Sequence, residues 1–408
     1  MGALRDPRFR RLLVGQSLSS FGDTALYLTL GIWAKALTNS NAAAGGVFLA
    51  LAIPALFAPL AGHLADRVRR RPLLLITNAA TGLMVLSLLA VHSRAQLWII
   101  YVVAFCYGIS FSVLSGAGAG LRKDMLAGED LASANASLQT VSQGLRIIAP
   151  LVGAGLFVAV GGGAVAILDA VTFAAAIVAL ASIRVRESAP EATGHGSFRR
   201  DVTAGFRHLR AVPLLWQITL VTACAFSVIG LNETIVFAVI SQGLHRPPSF
   251  FGVLNSVQGA GAIAGGLAVA WLLRHLGAAR VIGLALASFA LASVVYRTHS
   301  LALCLAGAVL DGIGLVWLVV AFSTAVQVHT PPRLQGRVDA AWGMMVVTPQ
   351  TVSIAAGAAL ISFIDYKLLL LIITVVVGTC GLLLLIRPAP EPVTAAADSP
   401  DAALDPAA

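Results

Sequence analysis

Long apolar runs broken by short charged turns set the pattern of this chain. Two of them, Ala43 to Leu64 and Leu73 to Val91, flank the turn Gly62-His63-Leu64-Ala65-Asp66-Arg67-Val68-Arg69-Arg70-Arg71-Pro72. Each is near the roughly 20 residues that a helix needs to cross a bilayer's hydrocarbon core, so both predict membrane spans. The aspartate and four arginines between them are costly to desolvate, which places the turn at the water interface on the side that retains positive charge. About twelve such apolar segments recur, centred near Ala25, Pro54, Leu83, Tyr107, Pro150, Ala175, Ala225, Gly261, Ala287, Ile313, Pro349 and Val375. An even number of spans puts both termini on one face.

Composition agrees: 58% of residues are apolar, 11% are charged, and the mean hydropathy is +0.89, far outside the soluble range. With the N-terminus inside, the predicted inner segments hold 21 of the 27 Lys and Arg residues, and only Lys35, Arg94, Arg246, Arg297 and Lys367 fall in outer loops. That bias orients the chain with both termini in the cytoplasm, integral to the plasma (bacterial inner) membrane. The net charge of +9 would suggest nucleic acid in a soluble protein. Here the excess flanks apolar helices, so topology and anionic lipid headgroups account for it and no nucleic-acid partner is expected. Cys106, Cys224, Cys304 and Cys380 all fall inside apolar runs, where they read as small apolar residues and not as a disulfide framework. Arg8, Arg10 and Arg11 precede a first run that continues to about Leu37, too long for a cleaved leader, so it reads as a retained span.

The chain divides into an N-terminal six-helix bundle over 1–183, a cytoplasmic linker over 184–212, a C-terminal six-helix bundle over 213–387 and a disordered cytoplasmic tail over 388–408. The linker carries a short basic stretch, Phe198 to Arg210, with the character of an interfacial helix. Gly108-Ile109 recurs as Gly312-Ile313, Ser19-x-x-Gly22 as Ser227-x-x-Gly230, and the spacing of Gly144 and Pro150 as that of Gly343 and Pro349. The offsets lie near half the chain length, as in a duplicated six-helix unit.

These residues resemble the major facilitator superfamily. Gly62-x-x-x-Asp66-Arg67-x-Arg69-Arg70-Arg71 is similar to its signature between helices 2 and 3. Ser19-Ser20-Phe21-Gly22-Asp23, Ala134-Asn135-Ala136, Arg146-Ile147-Ile148-Ala149-Pro150, Leu168-Asp169-Ala170-Val171-Thr172-Phe173 and Pro332-Arg333-Leu334-Gln335-Gly336-Arg337-Val338 resemble the drug–proton antiporter 3 branch, which holds macrolide efflux proteins and the enterobactin exporter. The resemblance implies an all-α membrane protein of two pseudo-symmetric six-helix bundles. It also implies proton-driven export of a small amphipathic molecule. The helix 5 antiporter pattern stands here as Ala149-Pro150-Leu151-Val152-Gly153-Ala154-Gly155, without its leading glycine. The second half has Leu272-Leu273-Arg274-His275-Leu276-Gly277 where the acidic signature would recur, so the implied gate is asymmetric. Gly62, Asp66, Arg67, Arg69, Arg70 and Arg71 would latch the inner gate, pairing with a helix end or carboxylate only in the outward-open state.

An ionisable side chain at membrane depth costs several kcal/mol, so each is a site hypothesis. Asp23 lies near mid-bilayer in the first span and could load and release a proton as its cavity changes sides. Arg146, mid-depth in the fifth span, needs an anionic partner, either Asp23 or a substrate carboxylate. Asn232 and Glu233 lie just past the repeat position of Asp23, and Glu233 is a candidate second titrating group. Asp311 occupies the repeat position of Tyr107 and could face the cavity or bond a neighbouring helix. Asp169 reads as sitting near the outer end of the sixth span and bonding backbone there.

Pro150 and Pro349 interrupt helix hydrogen bonding, while Gly144, Gly153, Gly155 and Gly343 mark hinges or close helix approach, as do Gly259, Gly261, Gly265 and Gly266. Trp98, Trp216 and Trp271 fall at span ends, and Tyr27, Trp33, Phe111, Trp317 and Trp342 could line an aromatic cavity or face lipid. The eight histidines are scattered without metal-ligand spacing, and no nucleophile elbow or phosphate-binding loop is present, which argues against an enzyme and an ATP motor. The expected partners are a small-molecule substrate, protons and membrane lipids, with no cofactor beyond a proton gradient, in a monomer. A lipid or lysolipid transporter, an uptake carrier, a membrane-embedded enzyme and a channel are the alternatives.

Overall fold

The computed structural model describes residues 3–57, 68–126, 128–185, 187 and 198–389. Gly62, Asp66 and Arg67 of the charged turn lie outside the described residues, as do 188–197 of the linker and the tail from residue 390. The described residues are helices joined by short turns, without a strand. The first six helices are α1 (Pro7–Thr38), α2 (Asn41–Ala52, extended by a 3-10 turn to Phe57), α3 (Arg70–Leu86), α4 (Leu97–Met125), α5 (Gly128–Val160) and α6 (Gly162–Ala181). A linker helix, α7 (Phe198–Ala211), precedes α8 (Pro213–Ile229) and α9 (Asn232–Ala238), which together form the seventh span. Then come α10 (Phe250–Val295), α11 (Leu301–His329), α12 (Pro332–Leu360) and α13 (Tyr366–Ile386).

The 46-residue α10 is too long for one crossing and is broken at Gly277, whose φ of 77° and ψ of 165° reverse the chain. Positive φ is open to glycine at little steric cost, so a helix of two spans turns on one residue. Counted this way, α1 to α6 and α8 to α13 supply twelve spans, and the described ends lie on one face. That face is called the terminal face below, and the opposite one the distal face.

Local signals explain the helix ends. Asp6 caps α1 by accepting from the Arg8 amide at 2.7 Å, and the Arg8 guanidinium, 2.8 Å away, holds the Asp6 carboxyl below its usual range. At the other end of α1, Lys35 turns back to donate to the Asn39 carbonyl at 3.1 Å. It thus belongs to the last turn of the helix and not to an outer loop. Between these ends the helices are buried toward one another and apolar outward, with Leu267 84% and Leu83 72% exposed. Such a surface is incompatible with water as solvent and suits lipid.

Each half has its own core. Leu26, Leu30, Val85, Ile100 and Phe173 centre one, and Leu215, Ile218, Ile282, Leu370 and Val377 centre the other. A third apolar cluster joins the halves near the distal face, where Leu28, Ile32 and Phe48 of the first half meet Phe237, Ile240, Phe251 and Leu254 of the second. The Phe48 ring centroid lies 6.1 Å from that of Phe237 and 6.0 Å from that of Phe251, which are 5.0 Å apart. Gly31 makes room for the plug, because a methyl there would come within 2.8 Å of the Phe48 ring.

Trp98 and Trp271 are exposed as span-end residues, whereas Trp216 packs its ring edge-on against Phe206 of α7. The amphipathic α7 lies against α12, with Gly205 pressed on the Arg337 carbonyl and a His208 ring nitrogen 3.2 Å from the carbonyl of His329.

Candidate functional site

Asp23 sits midway along α1, about 24 Å from the first residue at 1.5 Å per residue. On its terminal side a cavity of about 170 Å³ runs inside the first half, lined by Gln16, Ser19, Ser20, Asn78, Thr81 and Ser110 and reaching Asp23 and Tyr107. On its other side Asp23 opens onto a cavity of about 420 Å³ between the halves, with Tyr27, Ser142, Arg146, Asn255 and Gln258. A third space of about 380 Å³ continues from there and is lined by Asn232, Glu233, Tyr296, Asp311 and Gln350. The last two share Tyr27, Arg146, Asn255 and Gln258. All five charged and amide residues expected to couple proton and substrate therefore face one connected central space, beneath the aromatic plug.

Their partners differ from the expectation. Asp23 accepts a hydrogen bond from the Tyr107 hydroxyl of α4, not from Arg146. Among the described residues Arg146 has no ion-pair partner in this conformation, and it is left exposed to the cavity between Tyr27 and Glu233. In the second half Asp311 accepts from the Tyr296 hydroxyl at 2.7 Å. Each half thus holds one aspartate on one tyrosine, with Asp311 on the span that repeats that of Tyr107.

Asp169 is placed differently from the expectation. The sixth helix begins at Gly162, so residue 169 is two turns in, and its side chain is fully buried. It faces the Tyr107 hydroxyl at 3.4 Å, so it belongs to the Asp23 cluster. The reason is the close approach of α1 and α6: a methyl at Gly22 would overlap Thr172 Oγ1 and Asp169 Oδ1. Gly22→Ala is expected to cost about 1–3 kcal/mol of stability by overpacking this contact, read as a lower thermal midpoint in detergent. An unchanged midpoint would mean that the contact relaxes freely.

The other motif residues also separate. Gly153 admits the Ala25 backbone of α1, with 2.7 Å between its would-be methyl and the Ala25 carbonyl, and Gly259 admits the Arg146 carbonyl at 3.0 Å. Gly144, Gly155 and Gly343 have open space where a methyl would go, which removes the close-approach reading from them. Pro150 and Pro349 lie inside continuous helices. Of the cavity aromatics, Tyr27 and Phe111 line it. Trp33 is buried against Gly162, the Trp317 indole donates to the Gly265 carbonyl at 3.0 Å, and Trp342 stacks on Phe322.

The arginine turn is corrected in part. Arg70 pairs with Asp124 of α4 at 2.7 Å, and Arg71 donates to the Leu180 and Ala181 carbonyls of α6 at 3.0 and 2.9 Å. The Arg71 amide also bonds Glu187 at 3.2 Å. Arg69 is exposed at the start of α3. The pairing of Arg70 and Arg71 is made within one half while the distal side is plugged, so these two staple the first bundle in this conformation and are not reserved for the opposite state. Arg70→Ala is expected to lower stability by about 1–3 kcal/mol, since Asp124 is buried; a thermal midpoint equal to wild type would contradict the staple.

Sequence reasoning did not single out Tyr107, Tyr296, Asn255, Gln258 or Gln350 as functional. The available signal was polar side chains inside apolar runs, and for Tyr107 its match to Asp311.

Comparison with known proteins fits this geometry. A model of the Major Facilitator Superfamily matches residues 12–239 and again 222–403. The chain is 25% identical over 396 residues to the uncharacterized MFS-type transporter YfiS of Bacillus subtilis (strain 168), with 92% of each chain covered. Among solved structures it is similar to the nucleoside transporter NupG, with a TM-score of 0.73 at 13% identity, covering 93% of this chain and 98% of that one. It is also similar to a bacterial homologue of the iron transporter ferroportin in an inward-facing state, with a TM-score of 0.70 at 16% identity over 92% and 97% of the two chains. The family and the fold are thus matched along nearly the whole sequence, and the chain belongs to the Major Facilitator Superfamily of integral membrane transporters.

Proposed function

We propose that this transporter exports a small amphipathic molecule, such as a drug, antibiotic or siderophore, by proton antiport and alternating access. The observation that carries the reading is the lining of the central space: Asp23, Glu233 and Asp311 from both halves, with Arg146, beneath a plug that seals the distal side. Carboxylates that alternate between two aqueous sides can carry protons, and a cationic or amphipathic guest competes with those protons for the same groups. Tyr27, Leu28, Phe226, Phe251 and Phe289 supply apolar surface beside the charges, which suits a guest with both characters.

The arginine-rich turns assign the terminal face to the cytoplasm, so the plugged conformation is the one that loads from inside the cell. The protein acts as a monomer in the bacterial inner membrane, energised by the proton gradient. The test is accumulation by proteoliposomes under an imposed pH gradient, over a panel including a macrolide, a catecholate siderophore, amphipathic cations and a lysolipid. Proton-coupled movement of a drug or siderophore out of the cytoplasm-equivalent side supports the proposal. Transport of lysolipid alone, or movement only toward the cytoplasm-equivalent side, would replace it.

A further inference from the structure

Asp169 is wholly buried, and its carboxyl has no hydrogen-bond donor committed to it among the described residues. Two hydroxyls come near. Tyr107 is 3.4 Å from Oδ2, but its single hydrogen goes to Asp23 in the much shorter bond. Thr172 is 3.5 Å from Oδ1, but its hydrogen goes to the Asp169 main-chain carbonyl at 2.7 Å. One hydroxyl hydrogen serves one strong acceptor, and an ionised carboxylate sealed from water without a donor is strongly unfavourable. A neutral carboxylic acid resolves the conflict, because its own O–H can then donate to the Tyr107 oxygen. The row reads Asp169, Tyr107, Asp23, with every donor pointing the same way.

Among the described residues, the groups facing Asp169 leave no other source of compensation. Asp23 comes from α1, Tyr107 from α4 and Thr172 from its own helix, while α3 offers only the uncharged Asn78 and Thr81 to this region. Among the described residues, no arginine, lysine or histidine side chain is bonded to the row. The cavity inside the first half reaches Asp23 and Tyr107 from the terminal side and meets the central space there.

We propose that Asp169 is a second proton-carrying residue of this site, neutral in the plugged conformation, which exchanges its proton with Asp23 through the Tyr107 hydroxyl. In that exchange the Asp169 O–H bond breaks as a new O–H forms on the Tyr107 oxygen, and the original Tyr107 hydrogen moves to Asp23. One proton is transferred in net, and the negative charge passes from Asp23 to Asp169. The inference rests on the proton-coupled reading above. It assigns a role to a residue on the sixth span.

Infrared difference spectra of the full chain in liposomes, at neutral pH in water and in deuterium oxide, test the protonation directly and need no substrate. The expected result is a buried carboxylic-acid carbonyl band that shifts on deuteration, shifts in Tyr107→Phe and disappears in Asp169→Asn, an isosteric change that keeps the packing with Gly22. A band absent from the wild type, or undiminished in folded Asp169→Asn, overturns the proposal. Proton-coupled exchange of the panel compounds tests the relay. Tyr107→Phe should lose proton coupling while retaining downhill exchange, and full coupling in both variants overturns the relay. If the wild type carries the band yet moves no protons, the antiport reading fails and the relay with it, while neutral Asp169 stands.

Discussion

Replacing Asp23 with asparagine is expected to abolish substrate-driven proton movement while leaving downhill substrate exchange measurable. Asp23 is the point where the cavity inside the first half meets the central space, and among the described residues its carboxyl is held by the Tyr107 hydroxyl alone. Asparagine keeps the shape and can still accept from Tyr107, so the local fold should survive. What it removes is the group that takes up and gives off a proton. Proton flux should fall to background, with substrate counterflow persisting at a reduced rate, when both are followed in the same proteoliposomes. A wild-type ratio of protons to substrate in Asp23→Asn would move the coupling to Glu233 or Asp311. Arg146→Ala separates the remaining roles: because Arg146 is not bonded to Asp23 here, its loss should weaken anionic or carboxylate-bearing substrates and leave proton uptake by Asp23 in place.

Truncating the plug is expected to shift the conformational equilibrium toward a distal-open state. Phe48 is 2% exposed and contacts Phe237 and Phe251 across the interface between halves. Those contacts exist only while the distal side is closed, so Phe48→Ala removes stabilisation from that state alone. Phe-to-Ala changes in packed cores cost about 3–5 kcal/mol. Some packing against Tyr27 persists in both states, so a differential of about 2 kcal/mol, or roughly 30-fold in the equilibrium, is expected. The reporter is Leu28→Cys, just beneath the plug, in a background lacking Cys106, Cys224, Cys304 and Cys380. An impermeant maleimide added at the distal face should label it much faster in Phe48→Ala. Equal labelling rates would show that the aromatic cluster is not the closing element.

The fold was legible because its determinants are local. Apolar runs of bilayer length, arginine-rich turns between them and a first run ending at about Leu37 translate directly into spans, and α1 ends at Thr38. The reversal at Gly277 also carries a local signal, since the charged Arg274-His275-Leu276-Gly277 interrupts two apolar runs. The depth of a side chain and its partner across a helix interface are not local. Asp169 reads as terminal when its span is centred near Ala175, yet the helix begins at Gly162 and the contact at Gly22 draws residue 169 against Tyr107. Arg146 had to have an anionic neighbour on energetic grounds, yet its guanidinium is exposed to the central cavity without an ion-pair partner among the described residues. Arg70 and Arg71 read as gate residues from their spacing, while their bonds to Asp124 and the end of α6 depend on how α3, α4 and α6 pack. Tyr107 and Tyr296 were hidden because a tyrosine in an apolar run looks like packing until its hydroxyl finds a carboxylate.

The proposed competition between proton and substrate for one cavity is read out by proton release on binding. The purified transporter in weakly buffered detergent solution, near neutral pH with a pH-sensitive dye, is titrated with a compound that the transport panel has returned. Stoichiometric release of protons is expected as the compound binds to wild type, and binding without that release in Asp23→Asn. Saturable binding to the wild type with no protons released would contradict it.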